Sequence, residues 1–139
     1  MTGYVLDASV FIAGLVSEDQ TQAARSLLIE AEVEGVVAPG HVILEVMNGL
    51  LMKQRRGLID ADYRHEAVER FLGYGLRLDL ARQPGAANRR TLNLADRYGL
   101  TVYDAAYLEL AQRESRVLGT FDNALRRAAA SLGIAVAPA

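Results

Sequence analysis

Tyr4-Val5-Leu6-Asp7-Ala8-Ser9 opens with a short apolar run that stops on an acid and passes into helix-forming residues. An apolar run bounded this way suits a buried strand. The next such run, Val36-Val37-Ala38, lies beyond a helical stretch in which Ala24, Leu27, Leu28 and Ala31 share one stripe and Gly35 marks the stop. It closes at Pro39-Gly40. Strand, helix and strand in that order predict a parallel pair joined by a right-handed crossover.

The alternation continues to the end of the chain. A first short helix is expected over Ala8–Val16, and a regular one over His41–Arg56. In the latter Ile43, Val46, Met47, Leu50 and Leu51 fall at helical spacing, with Glu45, Asn48 and Met52 on the other side. Asp60 is placed to cap the next helix, and Leu76–Leu80 alternates as a half-exposed strand does. A fifth helix runs through Thr91, Leu94 and Tyr98 to Gly99. Leu100–Val102 reads as a short extended stretch and Asp104 as the start of a sixth helix. Val117–Thr120 is a strand, Leu125–Leu132 a last helix, and Ile134–Val136 a final strand. The fold class predicted is α/β with a mainly parallel sheet.

Composition narrows the function. The 139 residues are 51% hydrophobic and 23% charged, ordinary for a globular domain and unlike a disordered or low-complexity chain. There is no cysteine, which excludes disulfides, thiolate metal sites and a cysteine nucleophile. The two histidines, His41 and His65, are too few for a histidine-rich metal centre. No apolar run reaches membrane-spanning length and no signal peptide is visible, so a soluble cytoplasmic protein is expected. Charge is uneven. Residues 1–52 hold seven acids and one base, and residues 53–97 ten bases and six acids. The basic middle segment is either a phosphate-contacting surface or a mixed, solvated helical face.

Four carboxylates stand in telling places. In open α/β sheets, sites form beyond the C-terminal ends of the strands. Asp7 and Asp122 follow strands, Glu45 lies one turn into a helix that follows a strand, and Asp104 opens a helix after Leu100–Val102. All four can project over one sheet edge. Taken singly, Asp7, Asp104 and Asp122 also read as helix N-caps, and Glu45 as part of a solvated face. Taken together, four crowded carboxylates repel one another, and a hard divalent cation, Mg²⁺ or Mn²⁺, removes that cost. Such an ion activates water and stabilises charge on a phosphoryl oxygen, which points to phosphodiester hydrolysis.

Those residues carry a resemblance. Tyr4–Ser9, Pro39–Leu50, Leu100–Ala111 and Leu118–Leu125, with the four acids separated by 38, 59 and 18 positions, resemble the PIN-domain ribonucleases, and more narrowly the VapC toxins of toxin–antitoxin pairs. The resemblance spans essentially the whole chain. It implies a single PIN-like domain over 1–139, a three-layer α/β/α sandwich with a four- or five-stranded sheet, and metal-dependent endonucleolytic cleavage of RNA. It further implies a VapB-like antitoxin partner and a homodimer. Asp7 and Asp104 would be direct ligands of Mg²⁺ or Mn²⁺. Glu45 would bind the ion or act as general base, and Asp122 would act through water. Ser9 and Thr120 are placed to orient the carboxylates, and Asn48, three residues after Glu45, to bond Glu45 or substrate. Lys53, Arg55, Arg56, Arg89, Arg90 and Arg97 are candidates for an RNA groove, with Arg89 and Arg90 alternatively contacting the antitoxin.

Other residues read more plainly. His41 is four positions before Glu45, but the carboxylate set makes it unnecessary as a ligand. His65, Asp79 and Asp96 read as solvated, and Tyr103 and Tyr107 as packing with one face available to a base. Two rival classes remain. One is a catalytically inactive PIN-like binding module acting through a protein or RNA partner, against which stands the retention of all four acids. The other is a phosphoacceptor receiver domain, which wants paired acids after the first strand and a late lysine. Here Asp7 stands alone and Lys53 is the only lysine.

Overall fold

A computed structural model describes residues 3–80 and 84–139. Strand β1 (Tyr4–Leu6) leads to helices α1 (Ala8–Leu15) and α2 (Thr21–Glu34), then β2 (Val36–Pro39). Helices α3 (Val42–Arg55) and α4 (Ala61–Leu72) lead to β3 (Arg77–Asp79), and α5 (Ala86–Tyr98) and α6 (Val102–Arg113) to β4 (Val117–Gly119). Helix α7 (Asn123–Ser131) and β5 (Val136–Ala137) close the chain. Among the described residues five strands form one sheet in the order β3-β2-β1-β4-β5, with every pairing parallel. Helices α1–α4 pack among themselves, as do α5, α6 and α7, with α6 lying along β1, β2 and β4. Right-handed crossovers put these two groups on opposite faces, which makes a three-layer sandwich.

The sheet is buried on both sides, so its inner strands are continuously apolar rather than alternating. Val5, Leu6, Val37, Ala38 and Leu118 are all fully inaccessible. Gly119 permits the tightest contact there, since a Cβ at this position would drive into the Leu6 side chain and crowd Leu27. Strand order reverses at β1: β2 lies to one side and β4 to the other. In open α/β sheets such a switch is where sites form, beyond the C-terminal strand ends, and Asp7 is the first residue past β1. Among the described residues no helix is long and apolar enough to cross a membrane.

Four local readings need correction. Leu100–Val102 is not a strand. Thr101 is the N-cap of α6, its Oγ1 accepting the Asp104 N–H at 3.1 Å, and Val102 is already helical. A threonine hydroxyl at that position competes for the free N–H groups, so Asp104 becomes the third helical residue rather than the cap. On α3 the buried stripe is Val42, Val46 and Leu50, while Met47 is 41% exposed. Val46 and Leu50 of the expected stripe are buried and Ile43 packs against the core, Val42 joins them in place of Met47, and Gly49, whose missing Cβ makes room for Ile12, faces α1. The strand expected over Leu76–Leu80 narrows to Arg77–Asp79, and the last strand is Val136–Ala137 rather than Ile134–Val136.

Candidate active site

Asp7 is fixed from two sides. As N-cap of α1 it accepts the Ser9 N–H at 3.0 Å. Ser9 Oγ donates to its Oδ1 at 2.5 Å, and Thr120 Oγ1 donates to its Oδ2 at 2.5 Å. Both hydroxyls reach back to the other junction. Ser9 Oγ accepts the Phe121 N–H at 3.0 Å, and Thr120 Oγ1 accepts the Asp122 N–H at 2.9 Å. The β1–α1 and β4–α7 junctions are thus laced together around one carboxylate. Burial pushes the Asp7 carboxyl up to about 6, and the hydroxyl and backbone donors pull only part of the way back.

Asp122 caps α7, its Oδ1 accepting the Leu125 N–H at 2.9 Å, and its side chain is exposed. Arg126 steadies this corner by donating to the carbonyls of Thr120 at 2.9 Å and Pro138 at 2.7 Å. Asp104 stands in the first turn of α6, half-buried. Burial raises its carboxyl above the ordinary range, the charges of Asp122 and Glu45 raise it further, and the Thr101 hydroxyl opposes them. Asp104 therefore lies within electrostatic reach of two acids from two other elements.

Glu45 projects from the first turn of α3. Tyr107 Oη donates to its Oε1 at 2.5 Å, and His41 Nε2 lies 3.5 Å from the same oxygen. His41 Nε2 also stands 3.0 Å from the Tyr103 carbonyl, a contact that requires the hydrogen on Nε2. The Tyr107 hydroxyl is held well above its usual range. Burial is the main cause, followed by the Glu45 bond and charge and then the charges of Asp7 and Asp104. Asp104 thus shares a charge field with Glu45 and Asp122, and Tyr107 one with Glu45, Asp7 and Asp104. As the side chains stand, no three of the described His, Asp or Glu groups close around a common point tightly enough to hold an ion.

The remaining candidates scatter. Asn48 is exposed, and among the described residues the partners of Glu45 are Tyr107 and His41, not Asn48. Lys53 pairs with Glu18 at 3.0 Å and lies roughly 12 Å along α3 from Glu45 at 1.5 Å per residue. Arg90 pairs with Glu109 at 3.2 Å, and Arg97 lies over the Tyr98 ring at 5.2 Å. Arg55, Arg56 and Arg89 are exposed. Asp79, expected in solvent, bonds Arg113 at 2.7 Å.

Sequence reading missed two residues. Tyr107 looked like packing, and nothing in local spacing shows a partner 62 positions away. Glu109 is 3% exposed and bonds both Arg90 and Arg113. Its i,i+4 spacing to Arg113 was visible and was the available signal.

Residues 4–131 match the PIN domain family. The chain belongs to the PIN-domain family. It is 30% identical over 121 residues to Ribonuclease VapC3 of Pyrobaculum aerophilum, covering 87% of this chain and 90% of that protein, which marks this PIN domain as VapC-type. Solved PIN-fold neighbours include PAE2754 of Pyrobaculum aerophilum, at 24% identity and TM-score 0.69 over 91% of this chain and 86% of that one. Mycobacterium tuberculosis VapC20, described as a sarcin–ricin loop cleaving toxin, superposes at 15% identity and TM-score 0.68 over 91% and 95%. FitAcB of Neisseria gonorrhoeae does so at 19% identity and TM-score 0.63 over 96% and 95%. These neighbours share the fold of this PIN domain.

Proposed function

We propose that this protein is a metal-dependent endoribonuclease, the toxin of a VapBC-like pair, and that Asp7, Glu45, Asp104 and Asp122 form its active site. The observation that supports the reading is that Asp104 lies in the charge field of Glu45 and Asp122, and Tyr107 in that of Glu45, Asp7 and Asp104, within a VapC-type PIN domain. The donor set suits a hard ion. It is made of carboxylate oxygens, and His41 is turned to a backbone carbonyl. Asp7 is buried with a raised carboxyl, and Asp104 is raised partly by its acidic neighbours. A divalent cation offsets that desolvation and repulsion. Asp7 and Asp104 would hold Mg²⁺ or Mn²⁺ directly, with Glu45 and Asp122 bound to it or to its waters.

When bound, such an ion supplies Lewis acidity, which makes an attacking water more acidic and offsets charge growing on the phosphate. The protein's own groups do the rest. Ser9 and Thr120 lock the Asp7 carboxylate in orientation. Glu45 takes the proton from the attacking water as general base. The water oxygen bonds to phosphorus, one P–O ester bond breaks, and the departing oxygen is protonated from solvent. A cleft of about 710 Å³, lined by Pro39, His41, Asp79, Asn88 and Arg113 among others, adjoins Glu45 through His41 and is large enough for a nucleotide of the substrate strand.

A single domain over 1–139, a cytoplasmic location, a VapB-like antitoxin and a homodimer belong to the same proposal. The test is incubation of purified, antitoxin-free protein with total RNA, with fragment ends mapped, in Mg²⁺ or Mn²⁺ against EDTA. Discrete metal-dependent cuts are expected. Intact RNA under all conditions would refute the nuclease and favour the inactive binding module.

A further inference from the structure

Tyr107 is 1% exposed, so its ring fills core space that phenylalanine would fill equally well. What the hydroxyl adds is one bond, to Glu45 Oε1 at 2.5 Å. A buried hydroxyl without a partner is penalised, and here a carboxylate is the partner. Tyr107 sits one turn after Asp104 on α6, at i+3, so the two ride on the same rigid face. Glu45 rides on α3. The bond therefore ties the acid of one helix to the helix that carries another acid. His41 reinforces the tie from the α3 side. Its ring lies edge-on to Tyr107 at 5.3 Å, and its Nε2 bonds the carbonyl of Tyr103, the residue before Asp104. Among the described residues Glu45 Oε2 accepts no hydrogen bond, so it is the oxygen left to the site.

We propose that Tyr107 is a positioning residue that holds Glu45 by Oε1, fixes its distance from Asp104, and leaves a single oxygen, Oε2, for the ion or its water. This rests on the reading of Glu45 as part of a metal site. It has a consequence for ion choice. Mg²⁺ and Mn²⁺ sites want near-octahedral, one-oxygen carboxylate ligands, whereas Ca²⁺ accepts a bidentate carboxylate in a looser shell. Freeing Oε1 should therefore harm Mn²⁺ binding more than Ca²⁺ binding.

The test is Mn²⁺ affinity by electron paramagnetic resonance, with Ca²⁺ affinity by competition, in wild type, Tyr107→Phe, Glu45→Gln and the double variant. Folding is checked by melting temperature. Loss of a group that orients a ligand typically lowers metal affinity on the order of 10–100-fold. Tyr107→Phe is expected to weaken Mn²⁺ about tenfold, Ca²⁺ clearly less, and to add nothing in the Glu45→Gln background. Unchanged Mn²⁺ affinity in Tyr107→Phe, while Glu45→Gln loses it, would overturn the proposal and leave the metal site standing. Equal losses of Mn²⁺ and Ca²⁺ would show general loosening and overturn it too. Unchanged Mn²⁺ affinity in Glu45→Gln would overturn both the metal role of Glu45 and the role of Tyr107. Should Tyr107→Phe fold poorly, wild-type protein carrying ¹³C at tyrosine Cζ decides. The Tyr107 resonance should shift on adding Mg²⁺ and stay still in Glu45→Gln, and a resonance unmoved by Mg²⁺ in wild type would refute the link.

Discussion

Replacing Asp7 by asparagine should stabilise the metal-free protein at neutral pH and leave it little changed in acid. Asp7 is 5% exposed, and burial lifts its carboxyl from 3.8 in the unfolded chain to about 6. An acid raised on folding contributes its full stability below the unfolded value and loses it as pH climbs through the folded one. Between about pH 4 and 6 the native state holds a proton that the unfolded chain has released. Stability then falls by about 1.4 kcal/mol per pH unit. The gap of roughly two pH units makes the charged Asp7 a liability of about 3 kcal/mol at pH 7 to 8. Asparagine stands in for the protonated carboxyl, and the Ser9 and Thr120 bonds are already contained in the value of about 6. The net gain is about 3 kcal/mol, or roughly 10 °C in melting temperature at this chain length. The assay is thermal unfolding by circular dichroism in EDTA, from pH 4 to pH 8. Mg²⁺ should raise the wild-type midpoint and not the variant's, since only a binding-competent native state gains by mass action. A variant that is equally destabilised at pH 4 and pH 8 would refute the reasoning. It would show that Asp7 acts as a cap and hydrogen-bond hub whose charge carries no penalty.

Asp104→Asn should also raise the metal-free midpoint in EDTA at pH 8, by less than Asp7→Asn because the side chain is only half-buried. A fall would mean that Asp104 is structural. Glu109→Gln should destabilise by about 1–3 kcal/mol in urea unfolding, less than a fully buried pair, because Arg90 and Arg113 are 49% and 32% exposed and keep partial hydration. A change within measurement error would show the network to be idle. Gly119→Ala should cost about 1–3 kcal/mol by the same method, since its Cβ meets the buried Leu6 side chain, which must repack. Wild-type stability would contradict the close approach.

Local chemistry made much of the fold legible. Val5-Leu6, Val36–Ala38 and Leu118 are apolar without alternation because both sheet faces are covered. Gly35 and Gly99 end their helices at positive φ, and Asp60 caps α4 by accepting the Tyr63 N–H at 2.8 Å. What stayed hidden depends on choices between near-equal local options or on partners far along the chain. Thr101 and Asp104 can each cap the same helix, and the threonine takes that place. The period of α3 is written in its sequence, but the close approach of Gly49 to Ile12 on another helix is not. At the candidate site, strand ends and helix starts placed the four acids at one sheet edge. The Tyr107–Glu45 bond and the Asp79–Arg113 pair join residues 62 and 34 positions apart, and no local pattern encodes them.

The most direct test of the central claim is the rate of RNA cleavage by the wild-type protein and its four amide variants, Asp7→Asn, Glu45→Gln, Asp104→Asn and Asp122→Asn, in saturating Mg²⁺. Each variant is first shown to be folded. Wild type should cut at discrete sites. The Asp7, Glu45 and Asp104 variants should lose on the order of 10²-fold or more, and the Asp122 variant less, since its carboxylate is exposed and already caps α7. Cleavage by Asp104→Asn at the wild-type rate, or by all four variants alike, would contradict the assignment of chemistry to this sheet edge.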